Sequence, residues 1–427
     1  MDKKFPSIPE VFLLFHSFNI TTTTTKIILL FIRYKFPRKL KNKRNIFVQT
    51  RKEQKHMKFS CEKSTLLDAI QTTSRAVSTK STIAILEGLK INASSEITIS
   101  GYDLNIGITT NFDADIVQTG EIVLNAKLLG DIIRKLPDDI IFFETDEKLL
   151  TTIKCGRSVF NLVAAPSTDY PQMPQVNCEK QIKIPQPMLK SMISQTIFAV
   201  SDNEAKPIHT GCLFETEKNT LNIVAVDGYR LSVRREILEN PPEQDMKFVV
   251  PGTALREIER ILSDNPEKTV SIYPDEKHIL FEIDKTVFIT RLIDGEFLNY
   301  KAAIPAKKEN TVKVDVHELI NCIERVSLIV SEKLKNPIRM NFDGPVIKIS
   351  CITTIGKSYD ECQIESSVDN LEIGFNNRYI LDALRACTDE KIEIALGGAL
   401  NPIVIRPLDD GEKFTYLVLP VRLKSGE

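Results

Sequence analysis

Three segments decide the fold: Phe59–Ser78 (FSCEKSTLLDAIQTTSRAVS), Ile182–Ser201 (IKIPQPMLKSMISQTIFAVS) and Val312–Ser331 (VKVDVHELINCIERVSLIVS). Counted from its first residue, each has Leu at +7 (Leu66, Leu189, Leu319), Ile at +11 (Ile70, Ile193, Ile323) and Val-Ser at +18 and +19. Each begins with a short extended run. The offsets +7, +11 and +18 fall on one face of a 3.6-residue period, so each segment is expected to be a strand leading into a helix with one core stripe. Self-similarity at a fixed spacing is the mark of a repeated structural unit.

A second helix is expected in each unit. Its start is Leu124-Asn125, Val250-Pro251 and Phe375-Asn376 in turn. Asn is a good N-cap because its side chain accepts from a free backbone N–H, and Pro suits a helix start. Core positions then match at Leu129, Leu255 and Ile380, and at Ile132, Ile258 and Ala383; two residues further on, Arg134, Arg260 and Arg385 coincide. Between the helices, runs such as Glu96–Ser100, Thr220–Val226 and Val346–Ile352 read as strands, punctuated by Gly, Asn and Asp. The expected class is α+β: three tandem copies of a unit with a sheet on one side and two helices on the other. The boundaries read as 57–181, 182–309 and 310–427, preceded by residues 1–56.

Such units can lie side by side, sheets running on and helices sharing one face. Doubled head to tail, three units would close into a ring of six. Twelve helices about 10 Å wide make a circumference of about 120 Å and leave about 28 Å clear inside, room for a hydrated duplex. Lys127, Arg134, Lys135, Lys190, Arg256, Arg260, Arg325, Arg378 and Arg385 all fall on expected helices. On an inner face they would hold phosphates without reading bases. Taken singly, such residues read equally well as solvated helix surface.

Charge is unevenly distributed. Residues 1–56 hold 13 Lys/Arg and 3 Asp/Glu, a net of +10; the remainder has 43 basic and 54 acidic residues, a net of −11. The arm's apolar stretches, Val11–Phe18 and Ile27–Ile32, are shorter than the roughly 20 residues of a membrane span. Its basic run follows the apolar part, the reverse of a secretory signal. Regular patterning begins at Met57, so residues 1–56 read as a disordered basic extension or as sequence upstream of the true start. The eight cysteines are spread singly with no CxxC, which reads as reduced, mostly buried thiols in a cytosol.

Four stretches carry a family resemblance. They are Met57-Lys58-Phe59 with Leu66-Leu67; Gly156-Arg157-Ser158 with Phe160, Leu162 and Asp169-Tyr170-Pro171; Val224–Leu231 (VAVDGYRL); and Tyr416–Leu423 (YLVLPVRL). In that order, over 57 to 423, the chain resembles the bacterial sliding clamp, the β subunit of DNA polymerase III. The resemblance implies the DNA clamp fold and a head-to-tail homodimer that encircles duplex DNA without sequence preference. It implies a non-catalytic processivity subunit with no cofactor, placed on DNA by a clamp loader. The partners it implies are the replicative polymerase α subunit and other clamp-binding replication and repair proteins, in the bacterial cytoplasm at the nucleoid, with no membrane.

It also implies a hydrophobic pocket for partner peptides between the second and third units. Carried over by motif, the pocket takes Val226, Gly228, Tyr229, Arg230 and Leu231 from the DGYRL turn, and His209 from the preceding strand. Asn376 and Tyr379 come from the start of the last helix. The closing strand contributes Leu417, Val418, Leu419, Pro420, Val421, Arg422 and Leu423. Leu231, Val418, Leu419 and Val421 are the expected apolar walls, and Arg230 and Arg422 the polar rim. By itself Asp227-Gly228 is an ordinary turn dipeptide. Lys80, Lys127, Arg134, Asn203 and Lys206 match positions that face DNA in the family; Arg260 and Arg385 join them through the repeat. Ala84 and Leu298 stand where the family usually has Pro, Lys80 where it has Arg, and His209 where it has an aliphatic residue. The changes at Leu298 and His209 bear on which peptide the pocket prefers.

An enzyme is the competing class. Gly356-Lys357-Ser358 resembles the end of a phosphate loop, but residue 351 is Cys where that motif needs Gly, and β-patterned sequence surrounds it. No GxSxG, GxGxxG or paired His motif occurs. The alternatives are a metal-dependent nuclease with an unrecognised carboxylate site, and a peptide-binding scaffold that does not encircle DNA.

Overall fold

The computed structural model describes residues 57–78, 80–305, 310–331, 336–408 and 413–423. The reading of residues 1–56 lies outside them. The three helix-first segments form as expected. Strand Met57–Glu62 enters α1 (Lys63–Thr73), Ile182–Pro185 enters α3 (Gln186–Ser194) and Asn310–Asp315 enters α5 (Val316–Ser327). The second helices are α2 (Ala126–Lys135), α4 (Gly252–Ile261) and α6 (Asn377–Arg385). Within each unit the two helices pack against each other. The +7 and +11 residues are buried in all three units, each worth about 1.5–3 kcal/mol in apolar transfer.

The +18 valines join the same cores, Val200 as a buried member and Val77 and Val330 packed against theirs, but they do so from outside the helices. The helices stop first, and 3₁₀ turns follow at Ser74–Ala76 and Ile197–Ala199. The cause is local. At the ends of α1 and α3, the hydroxyls of Thr73 and Thr196 donate back to the carbonyls of Ala69 and Met192, both at 2.7 Å. Such bonds compete with helix continuation.

Asn125 and Asn376 cap as expected, their side chains accepting from the N–H of Leu128 and Arg378. Pro251 occupies the same place before α4 with no side chain to cap it.

The strands form sheets that cross unit boundaries. A nine-stranded sheet joins the first unit to the second where Ile106–Phe112 pairs antiparallel with Thr286–Arg291, Thr110 opposite Thr286. A ten-stranded sheet joins the second to the third where Arg230–Ile237 pairs with Phe414–Val418. The expected side-by-side arrangement is thus present within the chain. On the helical side, Arg75 beside α1 pairs with Glu257 of α4, and Gln195 after α3 donates to Thr388 after α6. Each unit has a large apolar core, the second also taking Ala76, Ile106 and Ile108 from the first unit, and two smaller clusters lie beside them.

Ser158–Val163 ends a five-stranded sheet in the first unit, and Ile338–Thr353 ends the ten-stranded sheet in the third. Gly356-Lys357-Ser358 opens the strand Gly356–Phe375, which pairs back on Ile338–Thr353 with no helix after the glycine. The described cysteines are free thiols, six of them buried.

Candidate peptide cleft and nucleic-acid face

The cleft is built around the turn at Asp227-Gly228. Gly228 has φ +95°, a conformation that suits glycine. The turn is tied by Asp227, whose Oδ1 accepts from the N–H of Tyr229 at 2.8 Å and of Arg230 at 3.0 Å. Its Oδ2 accepts from Arg230 Nε at 2.9 Å, and Arg230 Nη1 donates to Asp382 of α6 at 2.6 Å. The Arg230 guanidinium lies 4.7 Å from the centre of the Tyr379 ring and 5.5 Å from that of Phe198. Its side chain is 7% exposed. Arg230 is therefore not a polar rim. It is a buried cation with two carboxylates and two aromatic faces, which is how a charge is kept inside a protein. Arg422 is exposed.

Tyr229 lies over Tyr379, ring centres 5.7 Å apart and planes at 22°. Asn376 spends its side-chain oxygen on capping α6, which fixes the helix turn that carries Tyr379. The closing segment differs from expectation. The strand ends at Val418, and Leu419 N donates to Tyr229 O at 2.8 Å. Pro420 follows and has no N–H to continue a ladder. The chain then turns to α6's leading strand, where Val421 N donates to Gly374 O at 2.8 Å. A side chain is costly there, since a Cβ on residue 374 would lie 2.8 Å from the backbone oxygen of Val421.

Two expected walls are interior. Leu231 is 2% and Val418 0% exposed, and Leu231 packs with Val226, Leu417, Phe297 and Tyr300 beneath the cleft. The apolar groups open to solvent are Leu419 and Val421, with the exposed Tyr229 beside them and Leu298 on the 292–299 loop. His209 belongs to a 3₁₀ turn, Pro207–Thr210, not to a strand; Pro207 at its start favours that turn. The ring meets Phe297 edge-on at 6.1 Å. Burial and the nearby Lys206 push its pKa below the ordinary imidazole value, against the opposing pull of Asp227.

The structure thus gathers Tyr229, Arg230, Tyr379, Leu419 and Val421 directly, and His209 through Phe297. Sequence reasoning missed Asp382 and Phe198. Asp382 is 152 residues from Arg230, and no local pattern signals such a pair.

Lys127 and Arg134 on α2, Arg260 on α4 and Arg385 on α6 are exposed, as are Lys80, Asn203 and Lys206 in loops. The matching arginines are each paired: Arg134 with Asp131 at 2.9 Å, Arg260 with Glu257 at 2.7 Å and Arg385 with Glu324 at 2.7 Å. Lys190 and Arg325 are paired as well, with Asp264 and Asp360. The pairs exposed on both sides, Arg134–Asp131 and Arg385–Glu324, are weak and exchangeable. Among the described residues, no group of three or more His, Cys, Asp or Glu could hold a metal ion. Among them too, no helix is long and apolar enough to cross a membrane.

Models of the N-terminal, central and C-terminal domains of the DNA polymerase III beta subunit match residues 57–174, 183–299 and 301–422. The chain is 35% identical over 380 residues to the beta sliding clamp of Bacillus subtilis (strain 168), covering 86% of this chain and 100% of that one. It is 32% identical over 379 residues to that of Staphylococcus aureus, covering 86% and 99%. The crystal structure of the DNA polymerase sliding clamp from Bacillus subtilis superposes with a TM-score of 0.82 at 34% identity, over 86% of this chain and 100% of that one. The DNA polymerase beta subunit of Streptococcus pyogenes gives 0.82 at 29%, with the same coverage. With every unit matched in order, the chain belongs to the DNA polymerase III beta-subunit family.

Proposed function

We propose that this chain is a DNA sliding clamp: a non-catalytic subunit that encircles duplex DNA as a homodimer and tethers the replicative polymerase. The observation that carries the ring is the pair of sheet edges. Ser158–Val163 and Ile338–Thr353 end sheets in the first and third units. The first edge exposes Val159 and Phe160; the second exposes Ile352, and the turn beyond it Ile355. Unpaired edges with exposed apolar side chains invite strand pairing. Joining the first-unit edge of one protomer to the third-unit edge of its partner satisfies both, and a two-fold axis makes that joint twice, closing the ring.

The helical face then meets DNA through phosphate contacts from Lys80, Lys127, Arg134, Asn203, Lys206, Arg260 and Arg385. The cleft between the second and third units receives a short hydrophobic peptide, with Leu419, Val421 and Tyr229 as its accessible apolar surface. Its users are the polymerase α subunit, a clamp loader and other replication and repair proteins, in the cytoplasm at the nucleoid. The units divide at 57–181, 182–309 and 310–427.

The test is topological. The protein is loaded with a clamp loader and ATP onto nicked circular duplex, and the circle is then cut. Retention on the circle and release on linearisation are expected; equal retention on both forms would overturn encirclement.

A further inference from the structure

A cleft of about 590 Å³ opens on the helical face between the first and second units. Four cations line it: Arg75, Lys127, Arg134 and Arg260, with Glu87, Asp131 and Glu257 among them. Four positive groups therefore face three carboxylates, a net of +1. Glu257 stands apart from the other two acids. Its Oε2 accepts from Arg75 Nη1 at 3.0 Å and its Oε1 from Arg260 Nη1 at 2.7 Å. A staple between units would need Arg75 alone. The second oxygen serves Arg260, on Glu257's own helix, which joins nothing across the boundary.

We infer that Glu257 is a positioning residue that sets the strength of phosphate binding on the inner face: it holds Arg75 and Arg260 in place while offsetting part of their charge. This rests on the reading that the helical face meets DNA. The Glu257 and Arg75 side chains are 21% and 32% exposed, so the carboxylate's field at the cleft is screened less than that of an open surface group. A phosphate entering the cleft must displace Glu257 from one guanidinium or share it. Each contact is thereby weakened, and a duplex passing through exchanges contacts readily. A face of unopposed arginines would bind more tightly and move less freely along DNA.

Glu257→Gln removes the charge and keeps the shape and one acceptor oxygen. Binding of the full-length dimer to a fluorescent 30-base-pair duplex is measured by anisotropy across a salt series. The variant is expected to bind several-fold more tightly at low salt. Its plot of log K against log salt should be steeper by about one, one more phosphate neutralised. Adding Arg75→Ala to the variant should return the slope to the parent's. An unchanged slope would overturn the inference, including the case in which urea unfolding shows a loss of stability alone. Absence of duplex binding by parent and variant alike, with no retention of the parent on circular DNA, would instead bring down the sliding-clamp reading on which the inference rests.

Discussion

Leu231 and Leu419 lie on adjoining segments of the cleft and have opposite surroundings. Leu231 is sealed beneath Leu417 and Phe297, whereas Leu419 is 37% exposed. Truncating the first leaves a cavity; truncating the second removes only contact surface. Leu231→Ala is expected to cost about 2–5 kcal/mol in urea unfolding. Leu419→Ala should stay within about 0.5 kcal/mol of the parent yet lose affinity for a fluorescent peptide from the polymerase's clamp-binding segment. Normal peptide binding by the Leu419 variant would move the peptide site elsewhere. His209 acts at the same scale. Burial and the nearby Lys206 lower its pKa, which favours the uncharged ring with one donor and one acceptor over the cation.

At the scale of elements, α6 joins fold to site. Asn376 caps it, Tyr379 in its first turn carries the ring under Tyr229, and Asp382 one turn on anchors Arg230. One helix thus sets the cleft's floor and its charge balance. Asn376→Ala is expected to lower stability by about 1 kcal/mol, the usual value of a cap. It should weaken peptide binding as well, because the turn carrying Tyr379 loosens. Urea unfolding and peptide anisotropy on the same variant separate the effects, and unchanged values in both would mean the cap bond is not made in solution. The helices were legible in advance because their signals are local: apolar residues three and four apart, and a polar cap at the start. The early ends of α1 and α3 were not, since Thr73 and Thr196 act by bonding back to the chain instead of by polarity.

For the molecule, the governing feature is that two sheets continue across the unit boundaries, while the strands Ser158–Val163 in the first unit and Ile338–Thr353 in the third are each left as a sheet edge. A polar charge on either edge should prevent closure while leaving the cores intact. Phe160→Asp or Ile352→Asp, each alone, is expected to give a folded monomer by sedimentation velocity and to abolish retention on circular duplex. Dimers that persist in both variants would place the joint at other strands. The same view explains why an acidic body can hold an acidic polymer. On the proposed reading, Lys127, Arg134, Arg260 and Arg385 of the second helices, three of them paired with carboxylates, spread binding over many weak contacts.

The sequence by itself determined the repeat, the order of strand and helix in each unit, the core residues at Leu66, Leu189 and Leu319, two of the helix caps and the family. All of these follow from short-range spacing, which is written along the chain. Only the tertiary structure decided that Arg230 is buried between Asp227 and Asp382, that Leu231 and Val418 lie inside, that the closing strand ends at Val418, and that Glu257 serves two arginines from different units. Burial and ion pairing depend on what the fold brings near from far along the chain, and Arg75 and Glu257 are 182 residues apart.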